Sequence, residues 1–162
     1  MNDVMDTLAG LQPGSPLFDL RRQRPDVVKH LQGSNSAIFS PQDDGGLTRA
    51  ERAAAALRVA TLLRDDALAE HYRIQLAALD LTGTLAGTIE GTARMTEPRW
   101  DAILAHVDLV TRGPGSAEHK DIDNLLAAGL SSHAVVSLSQ IVAYVNFQSR
   151  VLAGLRALKG GA

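Results

Sequence analysis

His71 is the residue whose type and setting come nearest to chemistry. An imidazole titrates close to neutral pH, so it can give and take a proton. In the stretch after Asp65, residues Ala67, Leu68, His71, Ile74 and Ala78 recur at helical spacing. That pattern predicts an amphipathic helix with His71 on its apolar face. Two readings follow: a general acid or base facing a pocket between helices, or a histidine held by a neighbouring helix or half exposed at an interface. Glu51 is the carboxylate that could orient such a base. It also stands three residues after Thr48, where a capping box accounts for it without catalysis. Arg64 could hold the carboxylate of a small organic acid. It also suits the C-terminal end of a helix, where a cation is favourable in its own right. Tyr72 joins Arg64 as a candidate substrate contact, although adjacent residues on a helix do not share a face. The candidates are therefore His71 and Glu51 for catalysis, and Arg64 and Tyr72 for substrate binding.

Other groups offer less. His119 and Asp123 are four apart, but two ligands make no metal site, and no His-x-x-x-His phrase occurs. No metal and no cofactor are expected. His106 belongs to a different segment from His119, and His30 and His133 lie in the arm and at a helix start. Three Gly-Thr pairs, at Gly83, Gly87 and Gly91, carry neither a Walker nor a dinucleotide phrase, so phosphate binding is not expected.

The elements that must position these groups read as helices throughout. Thr48 caps a helix that runs to Leu63, and Leu57, Ala60 and Thr61 share one face of it. Asp65 and Asp66 open the next helix, and the pair extends to about Leu81. From Thr82 to Thr96 glycine and threonine lower helix propensity, yet Leu81, Leu85, Ile89 and Ala93 keep a spacing of four. Thr96 caps a helix with Pro98 in its first turn and Trp100, Ile103, Leu104, Val107 and Val110 inward. Ser116 caps a short helix ended by Gly129. The last helix runs from His133 to about Leu158, capped by Ser131 or Ser132. Its apolar surface is wide, with Val136, Phe147 and Val151 outside the main stripe, so part of it is expected to meet another subunit. Residues 1–46 form an arm. Short helices are expected at Val4 to Leu11, Pro16 to Arg22 and Pro25 to Leu31, the last ended by Gly33. A loop follows from Ser34 to Gly46, anchored by Ile38 and Phe39. The arginines of the arm, Arg21, Arg22 and Arg24, read as a solvated face or rim ion pairs.

Composition agrees with a single helical domain of residues 47–162 behind that arm. The chain has 162 residues, 45% of them hydrophobic and only 4% aromatic. That is enough to bury a sizeable core, and it favours closely packed helices over a β-sandwich. A net charge of −2 gives no footprint for nucleic acid or an acidic membrane surface. No apolar run reaches the roughly 18 residues of a spanning helix. The N-terminal residues lack the basic and apolar regions of a signal peptide. The expected location is cytoplasmic.

LTRAER, from Leu47 to Arg52, together with Glu70-His71-Tyr72 and Asn146-Phe147-Gln148-Ser149-Arg150, resembles the alkylhydroperoxidase D-like and carboxymuconolactone decarboxylase superfamily, including its peroxidase-related members. The resemblance covers about Leu47 to Leu158. It implies an all-α, alkylhydroperoxidase D-like helical bundle and a homo-oligomer. Family members carry a Cys-x-x-Cys-x-x-x-His motif at the start of the second helix. Counting back from His71, its cysteine positions fall on Arg64 and Ala67, and the chain contains no cysteine. Thiol–disulfide chemistry is thereby excluded. What the resemblance leaves is a cysteine-free member acting on a small organic acid, with His71 moving the proton, as decarboxylase-branch members do without a dithiol. The alternative is a non-catalytic, oligomeric assembly or binding protein that retains the fold.

Overall fold

The computed structural model describes residues 3–79, 84–91 and 95–160. Those residues form nine α-helices and no strand: α1 (Val4–Ala9), α2 (Pro16–Arg22), α3 (Pro25–Phe39), α4 (Arg49–Leu62), α5 (Asp66–Ala77), α6 (Thr84–Glu90), α7 (Pro98–Arg112), α8 (His119–Ala127) and α9 (Ser132–Gly160). A single 3-10 turn, Pro114–Ser116, separates α7 from α8. The all-α architecture expected from composition is the one found.

Helix α4 is the centre of the bundle. Every residue from Glu51 to Ala60 is buried, and α5, α6, α7 and α9 pack around it. The sequence reading assigned α4 one inward face. The alanines at 53–56 and 60 explain the difference. With one methyl per residue, a helix can be approached closely from all sides, and alanine carries the highest helix propensity.

Such a helix can carry charge only where every charge is matched. Arg52 donates to the carbonyls of Leu47 (2.9 Å), Ile38 (2.8 Å) and Asp44 (2.8 Å), which staples the end of α3 and the following loop to α4. Burial lowers its pKa below the ordinary guanidinium value. Arg58 meets both oxygens of Asp108 on α7, at 2.6 and 2.7 Å, and donates to the carbonyls of Ile89 (3.0 Å) and Gly91, closing α6 onto α4.

Helix α3 runs through Gly33 to Phe39, six residues beyond the glycine expected to end it. One glycine costs a helix interior only about 0.5–1 kcal/mol. Phe39 is buried with its ring 5.1 Å from Tyr72 and 6.1 Å from Tyr144, which outweighs that cost. Two caps also shift. Glu97, not Thr96, caps α7 by accepting from the backbone of Arg99 and Trp100. Glu118, not Ser116, opens α8 in a reciprocal pair with Asp121. In the arm, Arg21 and Arg22 are paired with Asp3 and Asp6, whose side chains are buried, and the Arg22 guanidinium lies 4.2 Å from the Phe18 ring centre.

Within the Gly-Thr stretch, Thr84–Glu90 is helical and Ile89 is buried. Leu81, Thr82, Gly83, Thr92 and Ala93 lie outside the described residues. Helix α9, with 29 residues, is roughly 43 Å long. It packs on α4, α7, α8 and the three arm helices. No single helix among the described residues is long and apolar enough to cross a membrane.

Candidate functional site

Of the four residues singled out from the sequence, Arg64 lies in the α4–α5 turn and His71 and Tyr72 lie on α5. Arg64 forms the turn itself, with φ at 56°, the left-handed region that side-chain-bearing residues rarely adopt. Asp65 follows as N-cap of α5, accepting from the Leu68 amide at 3.3 Å and from Arg156 of α9 at 2.9 Å. Arg64 therefore projects outward. It borders a cavity of about 430 Å³ whose polar walls are Thr61, Asp66, Arg73 and Glu90. Arg73 is already paired with Glu70 and Glu90. The Arg64 guanidinium has no ion pair among the described residues.

Helix α5 turns a different face inward from the one its sequence suggests. Leu68, Ala69, Tyr72 and Leu76 are its buried residues. Ile74, expected inside, is 62% exposed. Two overlapping stripes exist in this sequence, and the packing selects the one that includes the tyrosine. His71 is left at the edge, half-buried, and outside the walls of the Arg64 cavity. Its Nε2 lies 2.7 Å from the side-chain nitrogen of Gln75 one turn on, so Gln75 donates and the ring accepts there. Burial lowers the His71 pKa below the ordinary value, which keeps the ring neutral at physiological pH.

Tyr72 was a candidate substrate contact. It is fully buried, and its hydroxyl donates to Oε1 of Gln148 on α9 at 2.5 Å. Burial raises its pKa well above that of a free phenol. Gln148 is also fully buried, and its Nε2 has no partner among the described residues. This pair is a polar tie inside the core.

Glu51 was a candidate catalytic group. One oxygen accepts from the Thr48 amide (2.8 Å) and hydroxyl (3.0 Å), completing the expected capping box. The other meets Nε of Arg99 at 2.5 Å. Arg99 also donates to the carbonyls of Gly46 (2.6 Å) and Gly129 (2.8 Å), so one guanidinium ties the starts of α4 and α7 to the α8–α9 turn. Glu51 and Arg64 lie thirteen residues apart at opposite ends of α4, about 20 Å along the axis. The four predicted residues thus do not converge on one pocket. Glu51 and Tyr72 are engaged within the protein, while His71 and Arg64 are separately placed near the turn.

A larger cavity, about 640 Å³, lies between α7 and α8. Its polar walls are Asp101, His106, Asp121 and Asn124, and its apolar walls include Ala102, Ala105, Leu109 and Ala127. His106 is only 6% exposed, and neither ring nitrogen has a hydrogen-bond partner among the described residues. Burial lowers its pKa, and Asp121 partly offsets the shift. From the sequence alone, His106 stands in a segment apart from the other histidines. A clue was available: Ala102 and Ala105 on one helix and Ala127 and Ala128 on the next leave room beside a histidine. No group of three or more His, Asp or Glu side chains is placed to hold a metal ion among the described residues.

No protein-family model matches the chain. No curated protein matches it either. Among solved structures, it is similar in fold to an uncharacterized peroxidase-related protein from Silicibacter sp. TM1040, with a TM-score of 0.73 and 14% sequence identity over 80% of this chain and 68% of that one. At that identity the likeness is one of fold. It agrees with the broad architecture that LTRAER and Glu70-His71-Tyr72 suggest.

Proposed function

We propose that this protein is a non-redox relative within the alkylhydroperoxidase D-like and carboxymuconolactone decarboxylase superfamily that works as a self-associating binding protein rather than a thiol peroxidase. The observation that carries the reading is the outer face of α9. Val136, Ala143, Phe147 and Gly154 lie along it at helical spacing, with Val136 55% and Phe147 43% exposed. Val27 and Leu31 of α3 border a hollow beside Phe147. Exposed apolar side chains on one face of a helix that is buried on its other side suit a subunit contact, with Gln140 and Arg150 interspersed among them as polar groups. The absence of cysteine and the internal engagement of Glu51 and Tyr72 support the same reading from the side of chemistry.

The test is the oligomeric state of Phe147→Asp and Val136→Asp against the unaltered protein, by light scattering after size exclusion. The unaltered protein is expected to run as an oligomer and both variants as folded monomers. Unchanged assembly in both variants would remove this face from the account.

A second reading rests on Arg64, a cation at a cavity rim with no ion pair among the described residues, seven residues or about two helical turns before His71. There a small organic acid is held by Arg64 and exchanges a proton with His71. Screening small carboxylic acids for turnover, with His71→Ala and Arg64→Ala as controls, tests it. Turnover that survives both substitutions would dismiss it.

A further inference from the structure

His106 poses a specific problem. A neutral imidazole has one donor and one acceptor, and burying either without a partner costs free energy. Both its nitrogens are shielded from water and unpartnered among the described residues. Yet the ring forms part of the wall of the α7–α8 cavity, whose volume of about 640 Å³ lies within the range of small-molecule sites. A ring nitrogen would reach that space through rotation about χ2, a torsion that is broad and roughly two-fold for histidine.

The rest of the wall states what kind of molecule fits. Asp121 contributes a carboxylate and Asn124 an amide; Asp101 also lines the wall but is already engaged, and among the described residues no lysine or arginine lines the cavity. Asp101 accepts from the Met95 amide at 3.2 Å. Asp121 gives one oxygen to the Glu118 amide at 2.8 Å. Ala102, Ala105, Leu109 and Ala127 make the remainder apolar. An anion would face the Asp121 carboxylate and an uncharged ring. A metal ion would find too few ligands, since no suitable cluster is present among the described residues.

We propose that the α7–α8 cavity binds a small organic amine, with its ammonium group between the Asp121 carboxylate and an accepting nitrogen of His106 and its hydrocarbon part against Ala102, Ala105 and Leu109. A protonated amine supplies the hydrogen-bond donor that the His106 ring lacks among the described residues and a charge that matches the Asp121 carboxylate. The apolar walls take its alkyl chain. Burial keeps His106 neutral and therefore able to accept. The proposal is independent of self-association through α9, which involves other helices' faces.

The experiment is an NMR titration of the full chain with butylamine, using butyrate as the oppositely charged control of equal chain length. Amide resonances on α7 and α8 and the His106 ring nitrogens are followed. Saturable shifts with butylamine and none with butyrate are expected. Asp121→Asn keeps an oxygen for the Glu118 amide while removing the charge, and should weaken binding about tenfold or more. His106→Leu should weaken it similarly. Absence of saturable butylamine binding, equal binding of butyrate, or undiminished affinity in Asp121→Asn would each overturn the proposal. If His106→Leu does not fold, Asp121→Asn and the His106 ring shifts of the unaltered protein decide the matter.

Discussion

Replacing Tyr72 by phenylalanine separates a core role from a substrate role for that residue. The hydroxyl is the hydrogen-bond donor to Gln148 Oε1, and both side chains are fully buried. Phenylalanine keeps the ring and its contact with Phe39, so packing loss is small. What remains is a fully buried amide with neither end partnered. Leaving one buried polar group unsatisfied costs about 1–3 kcal/mol. In a chain of 162 residues each kcal/mol moves Tm by about 2–4 °C, so Tyr72→Phe should lower Tm by about 2–12 °C. The double variant Tyr72→Phe/Gln148→Leu removes both partners and should recover much of the loss, because an apolar pair of similar shape replaces a broken polar one. Thermal unfolding followed by far-ultraviolet circular dichroism measures all three. A change below about 0.5 kcal/mol in Tyr72→Phe, the usual scatter of surface substitutions, would refute the reasoning and return the hydroxyl to the list of substrate contacts.

Arg64→Gly should raise stability by about 0.5–1 kcal/mol in denaturant unfolding, since glycine adopts the left-handed turn without penalty; a destabilised variant would show that the side chain is held by contacts of its own. Asp108→Ala leaves Arg58, whose side chain is only 8% exposed, without its carboxylate, and should cost about 1–3 kcal/mol on the same assay. Alkaline stability follows from the two buried phenols. Burial raises Tyr72 well above its ordinary value and pushes Tyr144 up to about 12. Above pH 10 the unfolded chain therefore ionises both while the folded chain does not. Their contribution is fully present below pH 10 and is lost as pH rises towards 12. Tyr144→Phe should show a shallower loss over that window, and an equal slope would argue against the burial assigned to this phenol.

The helical class and several of the helix bounds were legible because they depend on local chemistry. Thr48 with Glu51, Pro16 at a first helical position and Gly129 past α8 act within a few residues. The extension of α3 through Gly33 was not legible, since Phe39 earns its place against Tyr72 and Tyr144, far off in the chain. The inward face of α5 was ambiguous for the same reason: Leu68, Tyr72 and Leu76 form one stripe, and Ala67, His71 and Ile74 form another. The partners beyond α5 itself, α4, Phe39 and Gln148 of α9, choose between them. Of the site, the capping role of Glu51 could be read from the sequence, but its clamp by Arg99 could not. The setting of His106 depends on two helices leaving a space between them, and a single chain of letters shows each half without the gap.

The central claim is that a helical scaffold without redox cysteines serves assembly. Sedimentation equilibrium of the unaltered protein, over a range of concentrations, tests it most directly. The account predicts a mass that is a whole-number multiple of the single chain and falls to one chain in Phe147→Asp. A single-chain mass at every concentration would contradict it.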